Sequence, residues 1–470
     1  MNKYWNLIKN VVVLGVGSFT SKILSVVMLP FYTHVLSEKE YGIADLVVNT
    51  ANLLIPLVSL SIAEAVVRFA LESKSYRKDA LSIGILTVFG GFAVLLLCYP
   101  LMALNTKVSD YIWLIYLYVL MAALNAIMGQ FARCIGYVRL FAYSGFQNTA
   151  LLVIFNLTFL LGFRWGIVGY VLSTVLADFL TILFLFWVGN LKRYVQLTGL
   201  NRSLAGMMYR FSIPLIPNTL CWWIINLSDR YLITYLMENG EAVNGLYSVA
   251  HKIPGFIVMA STVFMQAWQL SAVGEYKSSG KAKFYSNVFT TFQALVFLCS
   301  SFLLLLIQPL TRLLTSGDFY ISWQFVPFLI LAIAFQCFVN FFGTIYMAAK
   351  RSVVNMLTTF AGAAVNVLLN LLLIPFYGGN GAAFATFISY FIVFWIRYWD
   401  CRNLFQVRIK PFSFLWNFLL VTAQAVVLLL QLPYYFWICG GLLAVLLALN
   451  IRLLLRSVLT LLRRRREVRG

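Results

Sequence analysis

An ammonium near the middle of a bilayer-length apolar stretch is the first group here with chemistry to do: Lys22 in VVVLGVGSFTSKILSVVMLPF, residues 11 to 31. A central lysine costs about 2.5–3.5 kcal/mol to insert, so such groups face a bundle interior or a wet cavity and serve transport. Ser18, Ser21, Lys22 and Ser25 fall on one helix face, which predicts a polar stripe lining a cavity that receives an anion. The alternative is a lysine that snorkels or pairs for structural reasons. On the next stretch Asp45, Asn49, Asn52, Pro56 and Ser59 again share one face, which either lines the same cavity or makes interhelical hydrogen bonds. Pro56 predicts a kink. Glu64 and Arg68, at i and i+4, read as a structural ion pair. Asp178 is a carboxylate well inside a span, able to relay a proton, hold sodium or neutralise a cation. Further on, SIPLIPNTLCWWIINLSDRYLITYLMENGEAVNGLYSVAHKIPGF carries Asp229, Arg230, His251 and Lys252. If Asp229 pairs with either Arg230 or Lys252, one positive charge is left for a ligand. Pro214, Pro217, Pro254 and Gly255 are expected to break the helices around it.

The elements that must position these groups are set by composition. With 470 residues, 62% hydrophobic and 11% charged, and a mean hydropathy of +0.87, the chain is expected to be an all-α polytopic membrane protein. Fourteen apolar spans follow: 10–31, 41–66, 80–100, 111–132, 145–163, 167–189, 211–237, 246–271, 286–308, 323–349, 353–376, 381–400, 413–431 and 434–455. The first is too long for a cleaved signal peptide and is expected to stay. With the N-terminus inside, 28 of the 35 basic residues fall on inner segments and four on outer loops, so both termini are placed in the cytoplasm. The net charge of +20 is thus mainly a topology signal. The RRRR run at 463–466 reads as a lipid-headgroup anchor and not as a nucleic-acid site.

The order of the spans hides a repeat. EYGIADLV at 40–47 aligns with VNGLYSVA at 243–250, placing Gly42 over Gly245. WGIVGYVLST at 165–174 aligns with YGGNGAAFAT at 377–386, placing Gly166 over Gly378 and Gly169 over Gly381. The offset spans six helices, an even number, which predicts two pseudo-symmetric lobes in parallel orientation with a substrate site between them. Residues 1–190 form the first six-helix lobe, 191–210 a cytoplasmic linker, 211–400 the second lobe, and 401–470 helices thirteen and fourteen with a basic tail. The seven cysteines lack C-x-x-C spacing, and no P-loop, metal-ligand cluster or catalytic constellation stands out. Short outer loops leave no room for the extracytoplasmic domain that a polymerase or ligase would need.

LGVGSFTSKILSVVMLPFYTHVLSEKEYGIADL followed by LLIPLVSLSIAEAVVRFAL resembles the opening of bacterial polysaccharide flippases. NLSDRYLITYL with GLYSVAHKIPG is similar to their seventh and eighth helices, and YGGNGAAFAT to their eleventh-to-twelfth turn. The family is the O-antigen flippase (Wzx-type) group, the polysaccharide transporter branch of the multidrug/oligosaccharidyl-lipid/polysaccharide (MOP) superfamily. The resemblance implies a V-shaped pair of lobes, alternating access, and movement of undecaprenyl diphosphate-linked oligosaccharide to the outer leaflet of the bacterial inner membrane, without catalysis. Related lipid II flippases place cavity cations on the first, second and eighth helices. Lys22 and Lys252 match the first and last, while the second helix offers only Asn49 and Asn52. Lys22, Arg230, Lys252, Asn49 and Asn52 are therefore the expected substrate-binding residues, and Asp45, Asp178 and Asp229 the ion-coupling or charge-pairing ones. No cofactor or metal is expected; coupling would come from protons, sodium or the membrane potential. Expected partners are the lipid-linked oligosaccharide, membrane lipids, a polysaccharide polymerase and chain-length proteins. A cation-coupled multidrug exporter of the same superfamily is the second reading, and it would want buried carboxylates as the dominant charge.

Overall fold

The computed structural model describes residues 27–104, 107–196, 198–275, 280–349 and 351–467, with side chains as far as residue 453 except at 263, 266, 267, 270, 273–275, 404 and 405. Ser18, Ser21, Lys22 and Ser25, and the side chains of the 463–466 arginine run, lie outside the described residues. Every regular element described is helical: α1 Leu29–Val35, α2 Glu38–Val58, α3 Ile62–Glu72, α4 Arg77–Leu97, α5 Tyr99–Ala103, α6 Ile112–Cys134, α7 Val138–Asn156, α8 Gly166–Trp187, α9 Arg202–Ser212, α10 Ile216–Leu236, α11 Gly240–Ala250, α12 Gly255–Glu275, α13 Lys281–Leu314, α14 Val326–Ala348, α15 Ser352–Phe405, α16 Pro411–Leu429 and α17 Tyr435–Glu467, joined in places by 3₁₀ and π turns. Among the described residues ten helical stretches are long and apolar enough to cross a membrane, and the chain is a multi-pass membrane protein. Large apolar side chains on its outside, such as Leu97 at 81% exposure and Phe376 at 82%, face a lipid solvent that does not penalise them.

Two expected spans are discontinuous. The stretch read as 41–66 is two helices, α2 and α3, parted at Ser59–Ser61, where Leu60 and Ser61 both take left-handed backbone angles (φ 49° and 51°). Pro56 stays within α2, and the Ser61 N–H caps it by donating to the Pro56 carbonyl at 3.1 Å. The stretch read as 246–271 is likewise two helices, α11 and α12, separated by the turn 251–254 that holds His251, Lys252 and Pro254. Non-helical backbone at membrane depth is tolerated where it is buried in protein or lines a cavity.

The chain divides into two compact units: residues up to Tyr231 with Asn239–Gly245, and Leu232–Glu238 with Leu246 onward. This division falls later than the 191–210 linker, because side chains as far as Tyr231 are tied to α2. In the first unit α2 opens with a capping box, the Ser37 side chain accepting from the Glu40 N–H while Glu40 accepts from the Ser37 N–H. Val66, Ile127, Phe131 and Leu185 bring α3, α6 and α8 into one buried core. Gly42 and Gly245, the repeat-related pair, lie face to face. A Cβ on Gly42 would stand 1.8 Å from the Glu241 carbonyl oxygen, and one on Gly245 would stand 2.1 Å from that of Glu38. Only glycine permits this approach.

In the second unit the core is aromatic. Phe394 stacks on Phe414 at 5.3 Å, Trp268 on Phe341 at 4.2 Å, and Phe335 and Phe338 fill the space between α14, α15 and α16. The long α15 is a hairpin of two helices. It turns at Gly378 (φ 56°, ψ −136°), and the antiparallel return is shown by Asn366 donating to Thr386 and Arg397 reaching back to Asn355. Gly166, its repeat partner in the first unit, also has positive φ, 51°.

Candidate functional site

The polar face of α2 acquires its partners from α10. Asp45 Oδ1 is paired with Arg230 Nη1, and Asp45 Oδ2 accepts from Asn49 Nδ2 at 2.8 Å. Trp223 Nε1 donates to the Asn49 carbonyl at 3.3 Å, and the Thr50 and Tyr231 hydroxyls bond at 2.6 Å. Asn244 Nδ2 adds a bond to the Gly42 carbonyl at 3.0 Å. A tyrosine wall closes the cluster on the side of α1 and α8, with Tyr170 edge-on to Tyr32 at 5.0 Å and to Tyr41 at 6.1 Å. The ion pair keeps slight access, the Arg230 side chain being 11% exposed and that of Asp45 15%. A guanidinium held this way can exchange its carboxylate for another planar or tetrahedral oxyanion, since all its donors remain charged.

The structure gives Arg230 a carboxylate that proximity in sequence does not suggest. Neighbours on a helix point in different directions, and Asp229, wholly buried, uses Oδ1 to accept the Arg230 backbone N–H at 3.0 Å. Asp45, Asn49 and Arg230 are thus brought together. Asn52 is exposed one turn on, and Lys252 belongs to the second unit, half-buried in the break between α11 and α12. The expected Glu64–Arg68 ion pair is not formed. Both residues are exposed, and the Arg68 guanidinium lies 4.4 Å over the Phe211 ring. An exposed i,i+4 pair contributes only about 0.3–0.5 kcal/mol, less than stacking on an aromatic face can supply.

Asp178 forms a second polar centre in the first unit. Its Oδ1 accepts from Asn125 Nδ2 at 2.7 Å and from Asn148 Nδ2 at 2.8 Å, and Asn148 also reaches the Thr181 hydroxyl at 3.2 Å. No cation pairs with Asp178 among the described residues. Three helices meet in this cluster, α6 and α7 each contributing one amide and α8 the carboxylate and the hydroxyl.

Two features were missed in the sequence. Arg397, 1% exposed, donates to the Thr358 and Thr359 hydroxyls at 3.0 and 2.9 Å and to the Val339 and Asn355 carbonyls at 2.9 and 3.1 Å. In the sequence this arginine is one more of the 28 basic residues on inner segments, with nothing to name its partners. The other is an ion pair in which Lys107 Nζ meets Glu241 Oε1 at 2.5 Å, and this bond holds the Glu241 carboxyl below its ordinary value of 4.5.

The architecture is similar to that of the lipid II flippase MurJ in an inward closed conformation, with 14% identity, a TM-score of 0.73, and coverage of 95% of this chain and 100% of that one. It is also similar to an inward-facing multidrug resistance MATE family transporter of the MOP superfamily (14% identity, TM-score 0.64, 82% of this chain and 95% of that one). A MOP superfamily transporter from Pyrococcus furiosus aligns at 13% identity and a TM-score of 0.57, over 85% of this chain and 97% of that one. At such identities the likeness is one of fold, and it defines the class: a membrane protein with the fold of MOP superfamily transporters. Residues 7–269 match the family described as polysaccharide biosynthesis protein, and the chain belongs to that family. No curated protein sequence matches it.

Proposed function

We propose that this protein carries an undecaprenyl diphosphate-linked oligosaccharide from the inner to the outer leaflet of the bacterial cytoplasmic membrane by alternating access, for assembly of a surface polysaccharide. The observation that carries the reading is the Asp45–Arg230 pair on the polar face of α2. Its guanidinium is an oxyanion receptor whose charge Asp45 balances at rest, and an arriving diphosphate would take over the donors that Asp45 occupies. Lys22 would supply further charge, as the resemblance to lipid II flippases implies, and the same resemblance gives Lys252 of the second unit a phosphate-binding role. Family membership supports a polysaccharide role, and the transport reading needs no bond to be made or broken.

Asp178 suits the coupling role. A buried carboxylate held by two amides can take up a proton, or sodium once the amides turn their oxygens inward. Voltage adds a second drive. A diphosphate with two negative charges leaving an inside-negative cell gains about 4–5 kcal/mol at 100 mV.

Binding to the purified chain separates this reading from drug export. Lipid-linked oligosaccharide diphosphate should bind, Arg230→Gln should abolish that binding, and Asp45→Asn, by releasing the guanidinium, should tighten it in protein that remains monodisperse. Preferential binding of hydrophobic cations, lost in Asp45→Asn, would establish the exporter instead.

A further inference from the structure

A cavity of about 680 Å³ opens between the end of the α15 hairpin and the start of α16. Its size is that of a ligand pocket, which runs to about 300–1,000 Å³. One wall is aromatic: Trp395 stands edge-on to Phe414 at 6.1 Å, and Phe418 continues the surface. The other end carries Arg402, whose guanidinium lies 5.3 Å over the Trp399 ring, and Arg408. Arg408 is held in place by its backbone N–H, which donates to Ser286 Oγ at 2.9 Å. No aspartate or glutamate lines the cavity, and neither arginine makes an ion pair among the described residues. Two unneutralised guanidinium groups at one end and an apolar ring surface at the other match an amphiphile with an anionic head. The cluster Arg402, Arg408 and Lys410 marks this end as cytoplasmic by the bias of basic residues. Basic pockets between membrane helices on that side are built to hold anionic headgroups.

We propose that this cavity binds an anionic phospholipid of the inner leaflet, its phosphate on Arg402 and Arg408 and an acyl chain along Trp395, Phe414 and Phe418. The site lies wholly within the second unit and does not depend on the Asp45–Arg230 centre. A zwitterionic lipid brings its own cation beside the phosphate and so answers the two positive charges less well than an anionic one. A polyprenyl diphosphate has the right charge and is the competitor to exclude.

Native mass spectrometry of the full-length protein, mixed with equimolar phosphatidylglycerol and phosphatidylcholine, tests this directly. The protein should retain phosphatidylglycerol in preference. Arg402→Gln should lower that preference about fivefold and the double variant with Arg408→Gln about 25-fold, the factor expected for each basic residue near an anionic lipid. Arg193→Gln, outside the cavity, should change nothing. A phosphatidylglycerol with a photoreactive acyl chain should label α15 and α16 peptides even in variants of lowered stability. Equal retention of both lipids by the unaltered protein, an undiminished preference in the double variant, labelling confined to other helices, or displacement by equimolar polyprenyl diphosphate would each overturn the proposal.

Discussion

Arg397 shows what a single buried charge demands of its neighbours. Four of its hydrogen bonds end on two carbonyls and two threonines, so the charge is solvated by dipoles. Arg397→Leu removes all four bonds, and although the Asn355 carbonyl keeps the Thr358 and Thr359 hydroxyls at 3.0 and 2.8 Å, each hydrogen bond lost from a charged donor costs about 1.5–3 kcal/mol. The thermal midpoint in detergent should fall, with Arg397→Lys recovering only part; an unchanged midpoint in the leucine variant would refute the assignment. At Glu241 the prediction is one of pH. Its folded pKa is lowered, chiefly by the Lys107 hydrogen bond, so its contribution is present above the ordinary 4.5 and is lost as pH falls through the depressed value. Melting curves of wild type and Glu241→Gln should differ at neutral pH and converge in acid, whereas a gap constant down to low pH would exclude the linkage. Individual charges were legible in the sequence, but their partners were not. Asp45 and Arg230 are 185 residues apart, and only the fold decides that they meet.

Helices were legible because lipid enforces a long apolar run with internally satisfied backbone. Their interruptions were less so. The break at Ser59–Ser61 uses Leu60 and Ser61 in left-handed geometry, which neither residue type announces. The turn at Gly378, by contrast, was visible as a glycine in a repeated motif. The two sites should respond oppositely to substitution. Gly378→Ala forces a Cβ into a backbone region open essentially to glycine, costing about 1–3 kcal/mol. Ser61→Gly relieves left-handed strain and should be neutral or stabilising by about 1 kcal/mol. Parallel melting of the two variants checks the pair of signs, and equal losses would contradict it. The absent Glu64–Arg68 pair teaches the same lesson in reverse, for helical spacing permits an ion pair without requiring one when an aromatic ring lies closer.

At the scale of the whole molecule the glycines that align in the sequence, Gly42 and Gly245, meet and set how closely the start of α2 can approach α11. A zero-length carbodiimide should join Lys107 to Glu241 in the native protein, because the amine and carboxylate are in contact. Gly42→Ala, whose Cβ would collide with the Glu241 carbonyl, should suppress that product; an undiminished yield would show that the approach is not needed. Transport of a carrier-linked sugar is tested by mass spectrometry of lipid-linked saccharides after depletion of this protein. One complete repeat unit should accumulate on its diphosphate carrier at the cytoplasmic face, with loss of surface glycan. Unchanged lipid-linked pools together with unchanged surface polysaccharide would contradict it.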